Sequence, residues 1–453
     1  MGKRNTLLGG RAAFRILDGK RRLYMLGIGG VSMSALALLV QSRGCSVSGE
    51  DRLTDSKTVG MLMGRGIPVW SEWHGLPIEC DALIYSAAIG EENPAFSQAA
   101  ARGIPILSRS DLLAAEMQRY PCRITVAGIH GKSTVCSMID AILTHAGKDP
   151  TTVSGATLTN HSTLRLGTGD IFLAEACEYT DSFLSLSPTV AVALNLEHDH
   201  PDYFRDEDAV ASSFAKYLSA CTGVAVIPSS GRLPSLVPTG TSCVRFGDGG
   251  MLSASDIREG SDGLSFTLLE DGRSAGCCRL PLIGVYQVQN ALAAMLTAMQ
   301  CGVPLALSAE ALSGFFSPDR RCQGRIAQNG VAWYEDYAHH PSEIRAILSA
   351  LRAHTRGRLV CAFEAHTYSR LHTLREGFLA ALRLADEAVV LPIYAARETD
   401  TLGESAERLA EELGARCFAA YEDAAEYLKE STAAGDTVAV LGAGRAGELI
   451  RYL

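Results

Sequence analysis

The sequence has no C-x-x-C pair, no excess of positive charge, no heptad run, no internal repeat and no low-complexity tract. Each absence argues against a class of protein. Without paired cysteine spacings neither a secreted disulfide framework nor a zinc ribbon fits, so the 13 cysteines read as reduced thiols of a cytoplasmic protein. A net charge of −9 argues against nucleic acid as a partner, because phosphate backbones recruit basic surfaces. The apolar stretch from Tyr24 to Val40 covers 17 residues and is broken by Gly27, Gly29, Gly30, Ser32 and Ser34. That is short for a membrane span; a buried strand, turn and helix explains it better, so no membrane insertion is expected.

What remains is an ordinary globular composition, 47% hydrophobic and 20% charged, over 453 residues, more than a single core usually serves. The first 22 positions carry seven Lys or Arg against one Asp, with no apolar segment of a signal peptide after them. Residues 1–22 are therefore expected to form a flexible basic extension. Beyond it, short apolar strands alternate with helical stretches in three parts, at 23–120, 121–318 and 319–453. Strands are expected at 23–26, 45–47, 67–70, 82–85 and 104–107, then 123–127, 171–174, 190–194 and 224–227, and last at 359–363, 387–391, 416–419 and 437–441. Strand alternating with helix predicts an α/β protein with parallel sheets. The Gly-, Ser- and Asp-rich stretch 229–272 interrupts this rhythm and predicts short antiparallel strands and loops at a sheet edge.

The turn Gly27-Ile28-Gly29-Gly30-Val31 follows the first strand and opens a helix, a setting in which backbone amides approach a pyrophosphate. Ser32 stands where a strict dinucleotide fingerprint has its third glycine. The acidic pair Glu50-Asp51, about 20 residues on, suits a ribose hydroxyl. The turn by itself fits NAD, a UDP-sugar or a plain tight turn.

A sharper signal is Gly128-Ile129-His130-Gly131-Lys132-Ser133-Thr134, directly after strand 123–127. A strict Walker A loop needs glycine where Val126 stands, so this is the shorter form G-x-x-G-K-S-T. Its amides form an anion nest at a helix start, Lys132 neutralises phosphate oxygens and the Ser133 hydroxyl suits Mg²⁺. Two acidic clusters, Glu175-Ala176-Cys177-Glu178 and Asn195-Leu196-Glu197-His198-Asp199-His200, follow strands 171–174 and 190–194. Ligands of open parallel sheets bind at the carboxyl ends of strands, so both clusters are expected beside the Gly-Lys loop, with oxygen donors for Mg²⁺. Further along come Glu335-Asp336-Tyr337-Ala338-His339-His340-Pro341 and Ala365-His366-Thr367-Tyr368-Ser369-Arg370. The second follows a strand, and its His and Arg suit a carboxylate. Cys177, beside a proposed magnesium ligand, is expected to make activity sensitive to thiol alkylation.

These runs together resemble the Mur ligases. The markers are GIGGVSM, SAAIGEENP from Ser86, GIHGKST, EACEYTDSFL, NLEHDHPDYF, DYAHHPSE, FEAHTYSR and GAG at Gly442, in order over most of the chain. The resemblance implies a Rossmann-like N-terminal domain for a UDP-sugar, a central P-loop ATPase-type domain and a Rossmann-like C-terminal domain for an amino acid. It implies an ATP-dependent ligase that joins L-alanine to the lactyl carboxylate of UDP-N-acetylmuramate through an acyl phosphate, a step of peptidoglycan precursor synthesis. By the same resemblance Gly27, Ile28, Gly29, Gly30, Val31, Asp51, Ser86 and Glu178 serve the UDP-sugar. Gly128 to Thr134 with Asn290, Arg325 and Asp336 serve ATP, Arg325 reaching the γ-phosphate. Ser133, Glu175 and His200 hold two Mg²⁺ ions, Tyr337, His339, His366 and Arg370 frame the amino acid, and Lys132, His200 and Arg370 carry catalysis. The protein is expected to be a monomer or weak homodimer.

Five positions depart from the family pattern. The adenine motif G-x-H-N-x-x-N reads Gly284-Val285-Tyr286-Gln287-Val288-Gln289-Asn290, Cys177 replaces an Asp, Thr367 an Arg, and Ser133 a Thr. A ligase for recycled murein tripeptide would share most motifs and need a roomier C-terminal pocket. A non-catalytic UDP-sugar binder would account for the altered adenine motif, but intact Lys132, Glu175 and His200 oppose it. An NAD-dependent oxidoreductase rests on the first glycine turn alone.

Overall fold

The computed structural model describes residues 7–90, 92–158, 162–327, 329–396 and 398–452. The first six residues of the basic stretch, and Glu91 of the run that begins at Ser86, lie outside them.

The chain opens with α1 (Gly10–Leu17), then β1 (Arg22–Leu26), α2 (Val31–Ser42), β2 (Ser46–Glu50), α3 (Lys57–Gly64), β3 (Val69–Trp70), β4 (Ala82–Tyr85), α4 (Pro94–Ala101), β5 (Ile106–Ser108) and α5 (Arg109–Met117). The strands form a five-stranded parallel sheet in the order β3-β2-β1-β4-β5. The order reverses between β1 and β4, which places the glycine turn at the sheet's ligand-binding crevice. Helix α5 starts from a capping box in which the Ser108 side chain and the Asp111 carboxylate satisfy each other's backbone N–H groups.

The expected flexible extension needs correction: residues 10–17 are helical. Ala13 and Leu17 are buried and rest against α5, while the Arg119 guanidinium sits 5.2 Å from the centre of the Phe14 ring. Of the basic residues that suggested a solvated tail, Arg11 and Arg15 lie on the exposed face of an amphipathic helix whose narrow apolar stripe has a partner.

The middle part contains β6 (Cys122–Ala127), α6 (Lys132–His145), β7 (Thr151–Val153), β8 (Leu164–Arg165), β9 (Ile171–Glu175), β10 (Val190–Ala193), α7 (Glu207–Ser219), β11 (Val224–Pro228), β12 (Ser242–Phe246), β13 (Leu252–Gly260), β14 (Gly263–Glu270), β15 (Arg273–Leu280), α8 (Tyr286–Gln300) and α9 (Leu305–Ser313). Its ten strands run β15-β14-β13-β12-β11-β10-β6-β9-β7-β8. The central strands are parallel and buried on both faces, as the unbroken apolar run Val190-Ala191-Val192-Ala193 requires. Antiparallel strands do form in the Gly-rich region, but β13 to β15 are eight or nine residues long rather than short.

The last part holds β16 (Gln323–Ile326), β17 (Ala332–Asp336), α10 (Pro341–His354), β18 (Leu359–Phe363), α11 (Tyr368–Thr373), α12 (Arg375–Leu382), β19 (Glu387–Val390), α13 (Ala406–Leu413), β20 (Arg416–Cys417), α14 (Tyr421–Ser431) and β21 (Thr437–Leu441). The sheet order is β16-β17-β21-β18-β19-β20, parallel except for β16. No helix among the described residues is long and apolar enough to cross a membrane.

Replacing Ala13, the fully buried residue of α1 that faces α5, by Asp puts an unpaired carboxylate against α5. Ala13→Asp is expected to cost the docked helix about 2 kcal/mol or more and to open 7–20 to limited proteolysis at protease levels that leave the parent chain intact.

Candidate functional site

Strand β6 lies between β9 and β10, so the segments that leave the carboxyl ends of all three meet at one place. The Gly-Lys loop comes from β6, Glu175 to Glu178 from β9, and Asn195 to His200 from β10. Gly131 caps α6 with φ of 82°, and a Cβ there would lie 2.8 Å from the Asn290 Oδ1, so the loop fits only glycine at this step. The His130 amide donates to Asn195 Oδ1 at 2.8 Å, which ties the loop to the end of β10.

Lys132 curls back over this loop. Its Nζ donates to the carbonyls of Gly128 at 2.5 Å and Ile129 at 3.1 Å and is 3.0 Å from Glu178 Oε2. Glu178 Oε1 in turn lies 3.3 Å from His200 Nε2. Burial resists ionisation of Glu178, which is only 1% exposed, yet Lys132 and His200 hold its carboxyl below the ordinary value. Burial likewise opposes the charge on Lys132, and Glu178 and Cys177 outweigh it, so the ammonium is retained more firmly than usual. Glu178, expected at the UDP-sugar, lies between Lys132 and His200 in this cluster. Glu175 accepts from Ser154 Oγ at 2.8 Å and from the Gly155 amide at 2.6 Å. The Cys177 thiol is pushed up by burial and by Glu178, which disfavours the reactive thiolate that alkylation requires.

Arg325 is not in the cleft: it is exposed on edge strand β16. The cation that faces the Gly-Lys loop is Arg321, whose Nη2 lies 3.4 Å from Ser133 Oγ and whose guanidinium sits 4.9 Å from the centre of the Tyr337 ring. Arg320 and Arg321 lie in the bend before β16; Arg321 turns to the Gly-Lys loop, and Arg320 pairs with Glu335 at 2.9 Å. Arg320 stacks on the same tyrosine at 4.9 Å. The Arg320-Arg321 doublet after Ser317-Pro318 was the available sequence signal.

A cavity of about 630 Å³ opens between the middle and last parts. Its walls include His130, Gly131, Thr134, Tyr286, Gln287, Asn290, Arg321 and Asp336. Asn290 donates to Gln287 Oε1 at 2.8 Å, so the altered adenine motif still presents amides to the cavity. Asp336 ends β17 and accepts from the Cys322 and Ala338 amides at 2.7 Å each; burial raises its carboxyl to about 6 despite Arg321 nearby.

Behind the phosphate cluster, Arg370 is 3% exposed and grips Asp199 across the two parts, Nε to Oδ1 at 2.7 Å and Nη2 to Oδ2 at 3.3 Å. Its Nη1 lies 2.9 Å from His366 Nδ1. The carboxylate expected on Arg370 is thus supplied by Asp199 in this arrangement. His339 is tilted against His366, ring centres 5.8 Å apart, and against Tyr337 at 5.5 Å. Burial lowers His339 to about 4 and His366 to about 3, so both rings are neutral. At the N-terminal turn, Gly27 has φ of 69° and the Gly29 amide donates to Asp51 Oδ2 at 2.8 Å, so Asp51 braces the turn as well as facing the crevice. Ser86 heads the loop after β4, 3.2 Å from where a Cβ on Gly27 would lie. Ile28, Gly30 and Val31 complete the turn into α2.

Three family models match in sequence: the Mur ligase family catalytic domain over 22–121, the Mur ligase middle domain over 126–298, and the Mur ligase glutamate ligase domain over 320–444. The UDP-N-acetylmuramate–L-alanine ligase of Lachnospira eligens is 38% identical over 446 residues, 93% of this chain and 95% of that one. Among solved structures, the UDP-N-acetylmuramate-alanine ligase MurC of Thermotoga maritima superposes with a TM-score of 0.79 at 23% identity, covering 95% of this chain and 98% of the other. The murein peptide ligase mpl of Psychrobacter arcticus gives 0.74 at 22% identity, covering 95% and 98%.

The domains also meet through His130, whose Nδ1 is 3.1 Å from Glu343 Oε1 on α10. Burial alone would lower His130, but Glu343 and Glu197 raise it from 6.5 to about 9. A folded-state value above the unfolded one stabilises fully below 6.5 and is lost as pH climbs through 9. The thermal midpoint is therefore expected to fall between those pH values, and Glu343→Gln is expected to flatten that slope in a pH series of melting curves.

Proposed function

The chain belongs to the Mur ligase family, and from that premise we propose that it joins L-alanine to the lactyl carboxylate of UDP-N-acetylmuramate at the expense of ATP. The observation that carries the mechanism is the buried Lys132–Glu178–His200 cluster at the mouth of the α6 anion nest. Transfer of the γ-phosphoryl to a carboxylate brings two anions together, so the site must cancel charge more than it must form bonds. Lys132, the amides of Gly128 to Thr134 and the α6 N-terminus hold the phosphates. Arg321 faces the same oxygens from the last part, so the nest and its second cation come together only when the two parts close.

Ser133, Glu175, Glu178 and His200 offer the hydroxyl, carboxylate and imidazole donors that would hold Mg²⁺, and a buried carboxylate paired with Lys132 and 3.3 Å from His200 fits that use. Bound Mg²⁺ neutralises the phosphate oxygens. The acyl phosphate then forms at the lactyl carboxylate, the α-amino group of L-alanine attacks its carbonyl carbon, and phosphate leaves the tetrahedral intermediate. Tyr337, His339, His366 and Arg370 frame the amine side. Both imidazoles are neutral and so do not repel the ammonium; His339, whose Nδ1 donates to the Tyr337 carbonyl, has Nε2 to accept from it, while His366 Nδ1 already accepts from Arg370. The turn Gly27–Val31 with Asp51 and Ser86 holds the UDP moiety, and Asn290 and Asp336 face adenine and ribose in the cavity. We place the enzyme in the cytoplasm, in keeping with its 13 free thiols, as a monomer or weak homodimer.

Phosphate release is expected to need UDP-N-acetylmuramate and L-alanine together, and murein tripeptide is expected to compete poorly. Turnover without the UDP-sugar, or a preference for tripeptide, would sink the assignment. Lys132→Met is expected to lower kcat by roughly 10²-fold or more while the UDP-sugar still binds in a calorimetric titration. Arg321→Ala should lower kcat and Arg325→Ala should not.

A further inference from the structure

His130, Glu197 and His340 converge on one point at the seam between the middle and last parts, where the backbone of His130 serves the phosphate nest and the three side chains hold no phosphate or magnesium. His130 is carried by the Gly-Lys loop, Glu197 by the segment after β10, and His340 caps α10. Their ligand atoms all lie within 4.8 Å of one another. His130 Nε2 is 3.5 Å and His340 Nδ1 is 3.6 Å from Glu197 Oε2. A tetrahedral ion with bonds of about 2.0–2.1 Å separates its ligands by about 3.3 Å, so little movement is required.

Both rings are also oriented from behind. His130 Nδ1 meets the Glu343 carboxylate at 3.1 Å, and His340 Nε2 meets the His198 carbonyl at 3.3 Å. Histidine ligands of metals are held in this way, with the far nitrogen on a carboxylate or carbonyl; a bound ion displaces the proton that His130 otherwise carries on Nε2. The Ser342 hydroxyl occupies the meeting point, 2.8 Å from His130 Nε2, 2.8 Å from Glu197 Oε2 and 2.7 Å from His340 Nδ1. The Ser342 backbone N–H also donates to His340 Nδ1 at 3.3 Å, so an ion at this point replaces the hydroxyl and that amide as the partner of the ring.

We propose that this His–Glu–His triad is a binding site for a borderline divalent transition ion of the Zn²⁺ type, entered when Ser342 turns aside, separate from the magnesium positions. Two imidazoles and one carboxylate form a donor set suited to zinc rather than to magnesium. The ligands belong to both parts, so the ion fastens the closed arrangement and slows the opening that releases products; zinc is then an inhibitor.

Co²⁺ titrated into the full chain in excess Mg²⁺ reads the site directly. One equivalent is expected to give the intense visible bands of four-coordinate cobalt without a thiolate charge-transfer band, and Zn²⁺ should displace it. His340→Ala and Glu197→Gln should each weaken binding at least roughly tenfold, and Glu343→Gln by roughly 10–100-fold through loss of the His130 brace. Ser342→Ala removes the competing hydroxyl, so its affinity is expected to hold or rise, an outcome that misfolding cannot imitate. Absent bands, a thiolate band, binding unchanged in both ligand variants, or binding lost in Ser342→Ala would each overturn the proposal.

Discussion

A buried ammonium at the positive end of a helix is the constraint around which this molecule is arranged. Lys132 sits at the first position of α6, where the macrodipole already disfavours a cation. Such a group stays charged only with anionic company, and Glu178 supplies it at 3.0 Å. Glu178 is itself too buried to remain a carboxylate alone, so His200 is drawn in at 3.3 Å. On the proposed function the cluster is poised for exchange: a phosphate would take over from Glu178, and Glu178 would then be open to a cation.

Three parallel strands make this possible because their carboxyl ends are neighbours. Had β9 or β10 lain at an edge, the acidic segments that follow them would emerge away from α6. The ion pair between Asp199 and Arg370 extends the same logic to the last part of the chain. Asp199 adjoins His200, so the carboxylate that fastens the two parts is one residue from the histidine that completes the phosphate cluster. Closure and charge balance are coupled by chain adjacency. Because the pair is nearly dehydrated, removing either partner would leave a buried charge uncompensated, which is far costlier than the net worth of the pair.

The strand cores were legible because buried parallel strands are short unbroken apolar runs; 82–85, 359–363 and 437–441 appear as β4, β18 and β21 without a shift. The Gly-Lys loop was legible because glycine, lysine and hydroxyl at that spacing have a mechanism. What stayed hidden depends on partners remote in the chain. Strand β17, Ala332-Trp333-Tyr334-Glu335-Asp336, carries two acids at its end and reads as a loop until pairing with β21 covers it. Helix α1 is basic enough to pass for a tail until α5 takes its apolar stripe. Arg321 and Arg325 cannot be ranked from spacing, since the bend before β16 turns one guanidinium inward and leaves the other in solvent. Glu178 offers the same lesson: three residues after Glu175, it could serve either neighbouring ligand until Lys132 is seen against it.

His130 shows how one loop can answer to two demands. Its backbone belongs to the phosphate nest, and its amide is fixed by Asn195. Its imidazole points the other way, into Glu343, Glu197 and Ser342. The loop is therefore held from both sides of the seam, and any movement of α10 pulls on the residue two positions before Lys132. A loop that must cradle phosphates with sub-ångström accuracy gains from being clamped only when the amino-acid-side elements have arrived. Binding of nucleotide alone would then leave the nest looser than binding with the parts closed, and phosphoryl transfer would await the second domain. The cation Arg321 and the brace Glu343 come from the same last part of the chain, so one movement of that part would bring both to the nest.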